Sequence, residues 1–249
     1  MNTDTLILTA AEWIGIIALG MLAGLSPKLR KVRPLQFLFP HREASVTFSI
    51  NIAAFVFSLL IYKYFFTEVT AFTTLNQEVL SQRLILDLIV LTVFGITLAI
   101  RKQPLRSALW GKEALRGNLE YALLIAALVI FLRGKIYTII DGIEMAEGLA
   151  LLQLLAIGLC EVSFFFGYSM PRLISRFGTR TGWVMAAFLF SLWQIIPMAV
   201  HGVVWQTAIF PILYFIGSGI VLGWTTIKSR HVLAPAVFIA LSQWLFLIQ

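Results

Sequence analysis

The sequence is poor in charge, in cysteine and in histidine. Only 12% of its 249 residues are Asp, Glu, Lys or Arg, about half of what a soluble domain carries. The single cysteine, Cys160, excludes a disulfide-stapled scaffold. Three histidines, His41, His201 and His231, leave little material for a conventional zinc site. The N-terminus lacks the basic start of a cleavable signal, since Asp4 and Glu12 stand there instead, so the first apolar run is expected to stay as a span. Internal duplication with matching motifs is also missing. What the chain has is apolar surface: 59% hydrophobic residues, 20 Phe, 7 Trp and a mean hydropathy of +0.90. Such a chain is neither disordered nor water-soluble; its solvent is lipid.

Apolar runs fall near 5–26, 44–62, 84–100, 119–132, 146–170, 182–203, 205–227 and 232–248. They predict an all-α polytopic transmembrane bundle of about eight spans. The net charge of +7 suits orientation in a bilayer better than nucleic acid, because the basic residues sit between the runs. Loops after the odd-numbered spans hold fifteen of the 19 Lys and Arg, from Lys28 to Arg42, Arg101 to Arg116, Arg172 to Arg180, and at Lys228 and Arg230. The opposite side holds Lys63, Arg83, Arg133 and Lys135 with most of the acids, Glu12 and Asp87 included, the latter two expected near an interface. The bias places the odd loops in the cytoplasm and both termini outside, in a multi-pass protein of the cell membrane. The basic run from Pro27 to Pro34 reads as an anchor that also meets anionic lipid, and the stretch around Trp110 and Lys112 could lie along the interface. Pro197 and Pro211 are expected to kink spans six and seven, and Pro235 to occupy a first turn.

One acid is left inside a span. Glu161 precedes Arg172 by 11 residues, roughly 16 Å along a helix and thus near mid-bilayer. A carboxyl there marks a functional position by default, with a hydrogen-bonded structural contact as the alternative. Gln194 and Gln243 fall at the same depth on two other spans, with Cys160, Ser163, Ser191 and Ser242 close by. A neutral Glu161 donating to one glutamine carbonyl would be a low-cost arrangement in lipid. Amides are poor zinc ligands and cannot act as bases, and the three histidines lie away from this depth. No metal or other cofactor is therefore expected.

These residues carry a resemblance. Glu161-Val162-Ser163-Phe164-Phe165-Phe166-Gly167 resembles the first motif of the CAAX-protease and bacteriocin-processing membrane proteins, which reads Glu-Glu, three residues, Arg. Phe190 to Gln194 is similar to the second motif, Phe, three residues, His. Ile239 to Gln243, after Leu233-Ala234-Pro235, is similar to the last, His, three residues, Asn or Asp. Gly219 and Gly223 match a further helix of that family. The resemblance implies a core of that type over 145–248, preceded by four spans and basic loops over 1–144. It also implies where catalytic groups would stand, namely the paired glutamates and histidines proposed to activate water for peptide cleavage. Only Glu161 survives. Val162, Phe166, Gln194, Ile239 and Gln243 replace the second acid, the arginine, both histidines and the final amide or acid.

The resemblance thus implies a scaffold without its chemistry. Its expected partners are membrane lipid and a membrane protein or lipidated peptide, held in a former substrate cavity lined by Phe164, Phe165, Phe166, Phe190 and Trp193; no nucleic acid is expected. An endopeptidase relying on Glu161 is the enzymatic alternative, and a small-solute transporter a third.

Overall fold

The computed structural model describes residues 3–26, 37–66, 76–202 and 205–248, and every regular element among them is helical. In chain order these are α1 (Thr3–Ala23), α2 (Pro40–Tyr64), α3 (Gln77–Ile100), a 3-10 turn (Leu105–Ala108), α4 (Lys112–Leu132), α5 (Ile136–Asp141) and α6 (Met145–Val162). A π-helical stretch (Ser163–Ser169) joins α6 to α7 (Met170–Phe177), followed by α8 (Thr179–Val200), α9 (Trp205–Ser229) and α10 (Leu233–Leu247). Starts are set by local chemistry. Asn76 accepts from the Glu78 and Val79 amides to open α3, and Glu147 reaches back to the Glu144 amide across 3.0 Å to open α6. Gly178, at φ +81°, makes the corner between α7 and α8 that a residue with a Cβ would resist.

Among the described residues seven helices are long and apolar enough to cross a membrane, counting Met145–Phe177 as one rod of 33 residues. The expected eighth span is a shorter helix. At 15 residues, α10 is about 22 Å long, less than a bilayer core of about 30 Å. It can be short because it is enclosed, with eleven of its side chains buried from Ala234 to Leu245. α10 packs on α4, α6 and α9, while α1 packs on α9 and α4, α2 on α7 and α8, and α3 on α6. Pro197 and Pro211 do lie inside α8 and α9, and Pro235 lies in the first turn of α10.

Two glycines permit close backbone approaches that shape the region around the polar layer. A Cβ on Gly158 would stand 2.8 Å from the Ala236 carbonyl oxygen, so α6 and α10 touch backbone to backbone. One on Gly167 would stand 2.7 Å from the Ala108 carbonyl, where the 3-10 turn presses on the π-helical stretch. The segment after that turn is anchored through Trp110, which donates its indole N–H to Ser163 Oγ at 3.1 Å and lies edge-on to His231. The run from Pro27 to Pro34 lies outside the described residues.

Near the same end, Arg172 is fully buried and donates to Glu43, the Tyr168 and Ser107 carbonyls, and Gln103. Arg101 donates to both oxygens of Glu43. One carboxylate thereby ties the start of α2 to the end of α3 and to α7.

Candidate functional site

Glu161 sits in the last turn of α6, just before the π-helical stretch, and is 2% exposed. Irregular π turns inside α-helices gather at functional positions. Arg83, from α3, donates to Glu161 Oε1 through Nε at 3.2 Å and Nη2 at 2.7 Å. Nη2 also donates to Gln194 Oε1 at 2.9 Å. Gln194 Nε2, on α8, donates to Glu161 Oε2 at 2.7 Å. Three helices thus meet in a closed ring of acid, guanidinium and amide. The amide donates to the carboxylate, opposite to the direction expected from sequence, because the counter-charge comes from Arg83 and the acid has no need to be a donor.

Of the three polar positions singled out in the sequence, the structure joins Glu161 and Gln194 directly. Gln243 is not bonded to them; it is buried, and its Nε2 has no partner among the described residues. Its neighbour Ser242 belongs to a second charged centre. There Arg133 donates to Glu12 Oε2 through Nη2 at 2.6 Å and Nε at 3.1 Å. Arg133 also reaches Ser242 Oγ at 3.4 Å, and the Tyr214 hydroxyl lies 3.3 Å from the same oxygen. Glu12 and Asp87, expected near an interface, are both buried within the bundle. Each has an arginine beside it: Arg133, at the end of α4, for Glu12, and Arg83, one turn earlier on its own helix, for Asp87.

The residues at the remaining motif positions are packing groups. Val162 and Phe166 have no exposure, and Phe166 lies against Phe190 with ring centroids 5.5 Å apart. Ile239 packs on the bare face of Gly158. Phe165 touches Phe55, Phe164, Phe190 and Trp193. The aromatics expected to line a cavity are buried and lie in ring contact with one another. Cys160 is buried, Ser163 accepts from Trp110, and Ser191 donates to the Ala187 carbonyl within its own helix.

Sequence reasoning missed Arg83 and Arg133 as site residues, since both were counted as outer-loop charges. A signal for Arg83 existed: Arg83 and Asp87 stand four residues apart, one turn of a helix otherwise apolar after them. Tyr62, Asp87 and Glu161 all lie close enough to Arg83 to act on its charge.

The chemistry open to this ring is narrow. A general base needs a lone pair facing substrate or water, and both Glu161 oxygens already accept strong hydrogen bonds. Metal ligation fits no better. Zinc takes three or four N, S or carboxylate donors, whereas the positions present are one carboxylate, two amides and Ile239, with a guanidinium already on the carboxylate. Among the described residues no three His, Cys, Asp or Glu are grouped to hold a metal ion. His41 contacts Arg176, His201 ends α8, and His231 lies in the α9–α10 turn.

Comparison with known proteins adds one match. Residues 145–245 match the family model described as Type II CAAX prenyl endopeptidase Rce1-like. No curated protein and no solved structure matches the chain. The matched segment runs from α6 through most of α10, and so includes Glu161 and Gln194 but neither arginine of the two centres.

Proposed function

We propose that this multi-pass membrane protein, Rce1-like over residues 145–245, is non-catalytic and works by binding. The observation that carries the reading is the engagement of both Glu161 oxygens. They accept from Arg83 and Gln194, no imidazole is bonded to them among the described residues, and the acid that lies near, Asp87, shares Arg83 with Glu161. Removing both histidines, the second glutamate and the arginine from such a site strips away nearly all its proton-transfer and charge-stabilising groups. The expected ligand is a membrane-embedded apolar partner: a membrane helix, a lipidated peptide or lipid. That partner meets the bundle from the bilayer side, where α3 turns Ile85, Leu88, Ile89 and Val93 outward.

The charge distribution supports an orientation with the odd-numbered loops in the cytoplasm and the start of α1 and the end of α10 toward the outside. Arg83 and Arg133 turn inward to their glutamates, which leaves Lys63 and Lys135 as the cations of the outer side and sharpens the bias.

The deciding assay incubates purified protein with prenylated peptides and with membrane-helix substrates, beside E161A. No cleavage above the E161A background is expected. Glu161-dependent cleavage of either substrate overturns the non-catalytic reading.

A further inference from the structure

The clamp on Glu161 separates into a receptor and an occupant, and the bond that shapes the receptor does not involve the occupant. Gln194 Nε2 donates to Glu161 Oε2 across 2.7 Å, a bond between α8 and α6 in which α3 takes no part. That bond holds the amide so that its carbonyl oxygen and Glu161 Oε1 both stand within reach of one nitrogen, Arg83 Nη2, at 2.9 and 2.7 Å. Two fixed acceptors side by side suit the planar edge of a guanidinium, which offers five N–H donors and keeps its charge in lipid.

The helix that delivers Arg83 is peripheral. α3 packs chiefly on α6, barely touches α2, and turns Ile85, Leu88, Ile89 and Val93 outward. One turn after Arg83, Asp87 is 3% exposed and lies close to Glu161 and Arg83. Its Oδ2 has no hydrogen-bond partner among the described residues. The centre therefore carries acceptor capacity beyond what its bonds to Arg83 use, which a purely structural pair would not require.

We infer that Glu161 and Gln194 form a guanidinium-binding site inside the bilayer, filled in this structure by Arg83 of the same chain. When Arg83 is withdrawn, the site takes an arginine side chain from a partner membrane helix. The inference rests on the non-catalytic reading, since a carboxylate held as the standing counter-ion of a guanidinium cannot also serve as a base.

The test vacates the site and refills it. R83A in detergent is expected to melt about 10 °C below the wild type, the scale set by leaving a buried charge unpaired. Guanidinium chloride, kept to about 50 mM and so far below denaturing levels, restores most of that loss in a saturable way. Urea and tetramethylammonium chloride at the same concentrations do not, and R83A/E161Q gains nothing from any of them. R83A that is recovered folded only when guanidinium is present throughout purification gives the same support, read as yield. In proteoliposomes, R83A binds a membrane-spanning peptide with one central arginine about 10-fold more tightly than its glutamine counterpart, a difference near 1.4 kcal/mol.

Recovery that is absent, or equal with urea, or equal in R83A/E161Q, overturns the site. Equal binding of the two peptides overturns the partner's arginine as its ligand. Running the cleavage assay on the same wild-type preparation separates the two conclusions: Glu161-dependent cleavage sinks the non-catalytic reading, while no cleavage together with no recovery sinks the guanidinium site alone.

Discussion

Two of the buried arginine–glutamate contacts among the described residues, Arg83–Glu161 and Arg133–Glu12, are built differently. In the Arg83–Glu161 centre both carboxylate oxygens are hydrogen-bonded, and an amide closes the ring. In the Arg133–Glu12 centre one oxygen takes the guanidinium, while Glu12 Oε1 is buried with no hydrogen-bond partner among the described residues. Ownership also differs. The Rce1-like segment supplies the acid and the amide of the first pair and receives its arginine from α3. For the second, α1 and α4 bring both charges, and the segment contributes Ser242 and Tyr214. Burying a pair costs desolvation that only good geometry offsets. The closed ring meets that condition more fully, so it is the stronger fastening between the N-terminal helices and the segment they surround.

Breaking the stronger ring should give the largest effect. R83A and E161A are each expected to cost about 3–5 kcal/mol, because either change strands a buried charge. The double variant R83A/E161A should cost clearly less than the sum, since nothing charged is left over. Denaturant titration in detergent around a double-mutant cycle measures the difference. Additive losses would mean that the two side chains act independently, against the geometry described.

The Arg133–Glu12 centre should come second. E12A and R133A are expected to cost about 3 kcal/mol each, the lower end for a broken buried pair. Arg133 is the C-terminal cap of α4, and snorkelling from the end of its helix would lessen the penalty in E12A. A loss in E12A larger than in E161A would reverse the ranking of the two centres.

The sequence made most of the helices legible and half of the site. Long apolar runs leave few alternatives in lipid, because every backbone donor must be satisfied within its own helix. Seven of the runs accordingly appear as helices long enough to cross. The last did not, since the same hydropathy describes a helix facing lipid and one enclosed by its neighbours, and α10 is enclosed. Depth counting brought Glu161 and Gln194 together correctly because both are fixed by distance from a basic loop. It could not say which way a residue faces around its helix. Ser242 and Gln243 are adjacent on α10, yet Ser242 joins Arg133 while Gln243 bonds to neither centre. The arginines were missed for a related reason: charge counting assigns a basic residue near a span's end to water, and whether it turns inward depends on a partner on another helix.

A smaller effect tests how the two centres are kept apart. One includes Glu161 of α6 and the other Ser242 of α10, and the closeness of α6 to α10 depends on Gly158. Its missing Cβ would meet the Ala236 carbonyl at 2.8 Å and Ile239 at 3.2 Å. Backbone cannot yield as a flexible side chain does, so G158V is expected to cost about 1–3 kcal/mol by overpacking. If the loss comes from prising α6 from α10, the coupling between R83A and E161A should also shrink in the G158V background. Unchanged coupling would show that the ring is held by α3, α6 and α8 alone.

An effect of a different kind lies outside both centres and depends on pH. His231, in the turn before α10, accepts a hydrogen bond at Nδ1 from the Leu233 amide at 3.1 Å. A protonated ring could not accept it. Burial pushes this imidazole down from 6.5 to about 4, so the folded chain holds it neutral where the unfolded chain would already bind a proton. The resulting stabilisation is complete above about pH 6.5 and declines as the pH falls toward 4; below that both states carry the proton and no more is lost. Trp110, whose ring centroid lies 5.7 Å from that of His231, gives a local fluorescence signal, read against W110F to remove the other tryptophans. The melting temperature should fall between pH 6.5 and 4, together with a change in Trp110 emission. H231N keeps an acceptor without a titrating ring, so that variant should lose most of the pH dependence while R83A keeps it. An equal pH dependence in H231N would move the titration away from this turn and toward the carboxylates of the buried pairs.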